Sequence, residues 1–170
     1  QWNTRPIVIA DLMKARRESE FPELRRVKRE IWIEPTLEDM ERFYNEHITQ
    51  AAILSVDIET ADKRITCIGF SPNPGLALVV PFYDSRRTTR AFWSSKDSEC
   101  KAWLFVRRIL EDETIPKLFQ NGLYDIAVLW KSYGIKTFGT EHDTMLLHHA
   151  LQPESLKSLG FLGSIYANER

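Results

Sequence analysis

A mixed α/β sheet with helices on both of its faces is predicted by three observations. Three closely spaced strand-like segments lie between Ala51 and Phe82. Apolar residues recur at helical spacing through most of the chain beyond Phe82. The changes of period fall at Gly, Pro and Asn signals. Composition agrees: 43% hydrophobic and 11% aromatic residues suffice for a core in a chain of 170 and exclude wholesale disorder. The balance of 23 Lys+Arg against 24 Asp+Glu excludes a globally basic nucleic-acid coat or a polyacidic tail, while leaving room for a local basic patch.

Residues 1–35 carry dense, mixed charge, including Arg16-Arg17 and the run from Arg25 to Arg29, and are punctuated by Pro6, Pro22 and Pro35. They read as a connecting arm with one short helix around Ala10–Glu18. A second helix starts after Pro35, capped by Thr36 with Asp39 three residues on, and carries Leu37, Met40, Phe43 and Tyr44 to about His47. Ala51–Ile58, Ile65–Ser71 and Leu76–Phe82 then form an antiparallel meander, the last two joined by the turn Asn73-Pro74-Gly75. A polar loop, Asp84–Lys96, precedes a helix over Asp97–Leu110. Lys117–Gln120 is a short buried strand, and Asp125–Tyr133 a helix stopped by Gly134. A strand is expected over Ile135–Phe138. A helix capped by Asp143 runs through Leu151, and another is capped by Ser155. A meander followed by αβα crossovers is the predicted architecture. Residues 1–50 are expected to be the arm and residues 51–170 the domain.

Cys67 and Cys100 stand 33 positions apart, outside any CxxC pair, which suits a reducing compartment. No apolar run approaches the ~18 residues of a membrane span, and no secretory-type leader opens the chain, so a cytoplasmic, membrane-free protein is expected. The chain opens on Gln1 and closes at Arg170 directly after a periodic segment, the expected look of a piece of a longer polypeptide.

GxGxxG, Walker, HExxH and GxSxG motifs are all absent. The chemistry falls to acids at strand ends. Three Asp-x-Glu triplets occur, at Asp39/Glu41, Asp57/Glu59 and Asp97/Glu99. The first and third open helices, where acids suit the dipole. Asp57/Glu59 instead ends the most apolar strand of the chain. Residues i and i+2 of a strand share a face, and two carboxylates side by side repel unless a cation, best a hard one such as Mg²⁺ or Mn²⁺, neutralises them. Asn121 and Asp125 lie four apart where a buried strand passes into a helix, the end at which open α/β sheets bind ligands. A turn and a helix-capping Asp would explain the same residues without a site.

Taken in order, these segments resemble the 3′–5′ proofreading exonuclease domain of family A (polymerase I type) DNA polymerases, in the ribonuclease H-like DEDD superfamily. Ser55-Val56-Asp57-Ile58-Glu59-Thr60 resembles the first motif, Asp-x-Glu after an apolar strand. Gln120-Asn121-Gly122-Leu123-Tyr124-Asp125 resembles the second, Asn-x-x-x-Asp. Tyr133-Gly134-Ile135, Asp143-Thr144-Met145-Leu146 and Leu156-Lys157-Ser158-Leu159 come next, in family order. The resemblance covers roughly residues 50–166. It implies a metal-dependent exonuclease that removes nucleotides from a single-stranded DNA 3′ end and proofreads for a covalently linked polymerase downstream. Asp57 would bridge two divalent ions, Mg²⁺ or Mn²⁺. Glu59 would bind the first ion and partner the attacking water, and Asp125 would hold the second. Asn121, with Tyr124 beside it, would position the strand. The family's third motif, Tyr-x-x-x-Asp, has no counterpart here, since Tyr166 is followed four residues on by Arg170. The 170 residues by themselves are therefore expected to be nearly inactive. A stand-alone DEDD exonuclease acting on RNA, and a silent nucleic-acid-binding or scaffold domain of the same fold, are the alternative readings.

Arg86, Arg87 and Arg90 interleave with Tyr83, Phe92 and Trp93, a pattern suited to phosphates and bases of a single strand, or to a solvated loop that packs its aromatics inward. His142, His148 and His149 read as surface or packing residues. Trp103 and Trp130 read as core.

Overall fold

The structure, a computed structural model, describes residues 4–23 and 28–167; Arg25 and Arg26 of the basic run lie outside them. The chain divides into two compact units, Arg29–Asp143 and the pair of segments Gln1–Lys28 and Thr144–Arg170. This differs from the predicted boundary at residue 50.

The larger unit is built on a six-stranded sheet. In chain order it comprises β1 (Glu30–Trp32), α2 (Leu37–Phe43), a π-helical turn (Tyr44–Ile48), β2 (Leu54–Ala61), β3 (Arg64–Asn73), β4 (Leu76–Pro81), α3 (Lys96–Glu111), β5 (Lys117–Phe119), α4 (Gly122–Tyr133) and β6 (Thr140–Asp143). The sheet order is β1-β4-β3-β2-β5-β6. The meander β2-β3-β4 is antiparallel as predicted. β1 joins β4 in parallel, and β5 and β6 extend β2 in parallel. Five strands therefore point one way, β3 alone opposes them, and the C-terminal ends of β1, β2, β4, β5 and β6 share one edge of the sheet.

Alternation decides which face of the meander is core. Val56, Ile58, Ile68, Phe70, Leu78 and Val80 are buried, and the register sets Val56 beside Phe70 beside Leu78, and Ile58 beside Ile68 beside Val80. They belong to one cluster with Met40 and Phe43 of α2 and Ala102, Phe105, Val106, Ile109 and Leu110 of α3. Each large side chain so buried contributes about 1.5–3 kcal/mol. The neighbouring positions of β2, Asp57 and Glu59, point to the opposite face.

The Thr36 cap is observed, its hydroxyl accepting from the Asp39 amide while Asp39 accepts from Thr36. Trp103 is core as expected, its ring stacked between Phe82 and Tyr133. Trp130 is not. It is 50% exposed, with the Lys136 ammonium 5.4 Å over its ring. β1 has no signal in the sequence, because three residues are too few to show a period. The strand expected at Ile135–Phe138 lies instead at Thr140–Asp143. Gly139, with φ of 65°, turns the chain so that its carbonyl accepts from the Lys117 amide, and a Cβ there would come 2.7 Å from the Ile115 carbonyl oxygen. Lys117 itself is fully buried. Its ammonium donates to the Asp112 carbonyl, and burial pushes its pKa down.

The other unit contains α1 (Arg5–Ser19), α5 (Thr144–Leu151) and α6 (Leu159–Tyr166). α1 is longer than the helix expected around Ala10–Glu18, with Pro6 in its first turn, where a missing N–H costs nothing. Ser158 caps α6, not Ser155. Ser155 lies against His148 Nε2 and donates to the Gln152 carbonyl, while Tyr166 meets His148 Nδ1. The buried His148 is thus a satisfied packing residue. No helix among the described residues is long and apolar enough to cross a membrane.

Candidate active site

The acidic face of β2 lies near the strand's C-terminal end. Asp57 stands opposite Gly69 and Glu59 opposite Cys67 on β3, so little bulk covers the pair from that side. The ladder slips by one residue between Glu59 and Thr60. The extra residue is Thr66, whose hydroxyl donates to the Glu59 carbonyl at 3.0 Å. A bulge here re-aims the side chains that end the strand.

Asp125 comes from the first turns of α4. Its Oδ1 accepts from the backbone N–H of Ile58 at 3.1 Å, which ties the helix to the peptide between Asp57 and Glu59. Asp125 is 5% exposed. Burial raises its pKa to about 6; the Ile58 amide and its own backbone oppose the rise, and the charges of Asp57 and Asp143 add to it. Asp57 retains access to solvent, yet enough protein surrounds its carboxyl that desolvation raises its pKa, with the Glu59 charge second. Cys67 is pushed up chiefly by burial, and the charges of Glu59 and Asp57 act in the same direction. The three predicted acids thus lie on one part of the sheet, with Asp57 acting on Asp125 and Glu59 acting on Asp57. Among the described residues, no group of three or more His, Cys, Asp or Glu side chains is placed to hold a metal ion.

Asn121 occupies the residue before α4 in the left-handed region, φ 58°, with no side-chain capping bond, and is exposed. Gly122 is next, and a Cβ there would stand 2.5 Å from Phe119 Cβ, so only glycine lets α4 start this close to β5. Tyr124 is half exposed, and its hydroxyl meets Thr60 Oγ1 at 2.8 Å. Leu123 beside it is 77% exposed. Thr60 is an addition of the structure to the site. Its only sequence signal is a hydroxyl next to Asp-x-Glu. Asp143, expected as the cap of the helix after it, turns its two carboxylate oxygens to the amides of Asn121, at 3.1 Å, and Gly122, at 2.7 Å, and accepts from both.

The loop arginines are occupied within the fold. Arg86 binds Asp84 through Nε at 2.8 Å and also pairs with Glu34; Arg87 pairs with Asp84 and lies over Phe92; Arg90 donates to Tyr83 at 2.7 Å. The structure does not bring these guanidiniums onto the acids. The loop nevertheless leaves β4 at the sheet edge where β2 ends.

Residues 32–168 match the family described as 3′–5′ exonuclease, of the polymerase A type. The chain belongs to this 3′–5′ exonuclease family. Among curated proteins none matches. Solved structures share the fold of these exonucleases. Trypanosoma brucei RNase D, in complex with RNA U12, aligns with a TM-score of 0.61 at 18% identity over 85% of this chain and 49% of that one. The POL domain of Pol1 from M. smegmatis, in complex with DNA primer-template and dNTP, aligns with a TM-score of 0.61 at 16% identity over 82% and 23%. The EXD2 exonuclease domain soaked in Mn and GMP aligns with a TM-score of 0.51 at 16% identity over 72% and 59%. The chain thus spans about three fifths of the EXD2 exonuclease chain. The mixed sheet is the ribonuclease H-like fold of the exonuclease family.

Proposed function

We propose that Asp57, Glu59 and Asp125 form the centre of a divalent-metal-dependent 3′–5′ exonuclease acting on a single-stranded 3′ end. The observation that carries this reading is the union of two acids on one strand face with a third, buried acid bonded to the amide between them. The groups acting on Asp57 and Asp125 are burial, backbone amides and like charges, with no cationic side chain among them. An all-carboxylate donor set of this kind fits a hard cation, Mg²⁺ or Mn²⁺; the EXD2 structures were soaked in these ions. Asp57, Glu59 and Asp125 would hold two such ions, which when bound supply an activated water and stabilise the leaving 3′ oxygen.

The chain's own groups do the rest. Asp57 and Glu59 present their oxygens from a strand paired along its length with β3 and tied at Ile58 to Asp125, so little reorganisation is required of them. Asn121 and the Tyr124–Thr60 pair border the acids and orient the terminal nucleotides. The role of Arg86, Arg87 and Arg90 is to hold the loop, with any contact to the strand secondary.

The family match, of polymerase A type, supports a proofreading role beside a polymerase. The likeness to RNase D supports equally a stand-alone enzyme on RNA. Digestion of 3′-labelled DNA and RNA oligonucleotides of one sequence by the full polypeptide, with Mg²⁺ or with EDTA, tests both. Metal-dependent loss of the 3′ label is expected, and the preferred polymer chooses between the roles. Equal behaviour of wild type and Asp57→Ala would overturn the site.

A further inference from the structure

Asp143 sits at the last position of β6, directly opposite Phe119 of β5. Its carboxylate spans two consecutive amides, accepting from Asn121 through Oδ1 and from Gly122 through Oδ2. These are among the N–H groups that no helix can satisfy from within, and Asn121 supplies no side-chain cap of its own. The amides of a left-handed residue and its successor point outward together, and one carboxylate from the neighbouring strand answers both. Such charge-assisted bonds are short and directional.

We infer that Asp143 is a positioning residue for the exonuclease centre: by clamping the Asn121 and Gly122 amides it fixes where α4 begins, and so where Asp125 and Tyr124 stand relative to Asp57 and Glu59. The inference rests on the function proposed above. Among the described residues, four contacts bear on the start of α4. They are the close approach of Gly122 to Phe119, the Asp143 clamp, the bond from the Ile58 amide to Asp125 one turn further on, and the Tyr124–Thr60 hydroxyl pair. The first is a steric limit, and the last two belong to the site itself. Of the four, the clamp is the one that ties the backbone amides of the helix start to a neighbouring strand. A shift of about 1 Å at a reacting centre costs on the order of a hundredfold in rate, and loss of the groups that orient metal ligands costs about 10- to 100-fold.

Asp143→Ala and Asp143→Asn test this in the full polypeptide. Amide hydrogen exchange at Asn121, Gly122 and Ile58 is measured beside kcat and KM on a single-stranded 3′ end. For Asp143→Ala we expect faster exchange at all three amides and a kcat about 10- to 100-fold lower, with KM nearly unchanged. Asp143→Asn keeps one acceptor and should restore part of both losses; it also carries the test if the alanine variant does not fold. Exchange faster at Asn121 and Gly122 but unchanged at Ile58, with kcat within twofold of wild type, reduces Asp143 to a local cap and overturns the inference. If the wild type digests no strand, the exonuclease reading fails, and protection of Ile58 alone decides whether the clamp positions Asp125.

Discussion

Asp84 and Asp125 are two nearly buried carboxylates on the same edge of the sheet, and their surroundings treat them in opposite ways. Asp84, just beyond β4, is 7% exposed and meets Arg86 and Arg87. The Arg86 guanidinium and backbone amide hold its pKa below the ordinary carboxylate value. Asp125 is equally buried, yet its pKa is raised to about 6, mainly by burial, and its charged neighbours are other acids. A fold that can place two arginines on one strand-end acid places none on the other. Complete internal neutralisation marks a structural carboxylate. Retained repulsion at a partly open site marks one whose partner is a ligand.

Removing an acid on the repulsive side should have the largest effect. Asp57→Ala is expected to lower exonuclease activity by about a hundredfold or more, while the protein melts in EDTA at the same temperature as wild type or slightly above it. A substantial loss of stability would erase the contrast, because it would place Asp57 among the structural carboxylates.

Acid should separate the two regions next. Folded Asp125 holds its proton up to about pH 6, whereas the unfolded chain releases it near 3.8, so the folded state binds more protons in that window. Stability then falls as pH rises through it, by no more than about 3 kcal/mol and by less as solvent screens the charge. Asp57 acts in the same direction. Asp84 does the reverse: its pKa is depressed, so its contribution is present above the ordinary value and is lost as pH falls below it. Thermal melts in EDTA should therefore rise between pH 7.5 and 5, and Asp125→Asn should remove the larger share of that rise. Melts that fall steadily from pH 7.5 to 5, identically in wild type and variant, would break the comparison.

The same contrast explains what the sequence can reveal. Asp57, Glu59 and Asp125 are legible because acids interrupt apolar strand and helix patterns, and burial makes such interruptions conspicuous. The meander and the Thr36 cap are legible because they depend on residues near one another in the chain. The arginines of the loop read as a possible phosphate track because nothing in Asp84–Arg90 announces that Asp84 is buried or that Glu34, 52 residues away in sequence, pairs with Arg86. The bonds of Asp143 to the start of α4 are hidden in the sequence for a related reason. A cap that crosses between strands leaves no local spacing to read. β1 and the left-handed turns at Gly139 and Asn121 belong with these, since tertiary pairing sets them.

Arg86→Ala tests the structural side. With its guanidinium committed to Asp84 and Glu34, Arg86 has little left for phosphate, and the log–log salt slope of single-strand binding should change by less than the ~0.7 expected for one lost contact. Its loss should instead lower the melting temperature, since Asp84 would retain only the Arg87 charge and the amide of residue 86. A slope reduced by the full ~0.7 with unchanged melting would return Arg86 to the nucleic-acid surface.

Glu34→Gln should do least. Glu34 is the exposed member of the Arg86 pair, its side chain 47% accessible, and exposed ion pairs contribute little once entropy and salt screening are counted. Arg86 would keep its bonds to Asp84 from both Nε and a terminal nitrogen. Glutamine also has much the same side-chain length, so the left-handed backbone at this position, φ 58°, is disturbed no further. Melting within about one degree of wild type is expected, with an unchanged salt slope. Asp84→Asn measured in parallel should melt clearly lower, because it removes the charge that two arginines share. If the two variants proved equally costly, the loop would be held by its whole network of charges rather than by the one carboxylate it buries, and the distinction between an internally satisfied acid and a waiting one would rest on Asp57 and Asp125 alone.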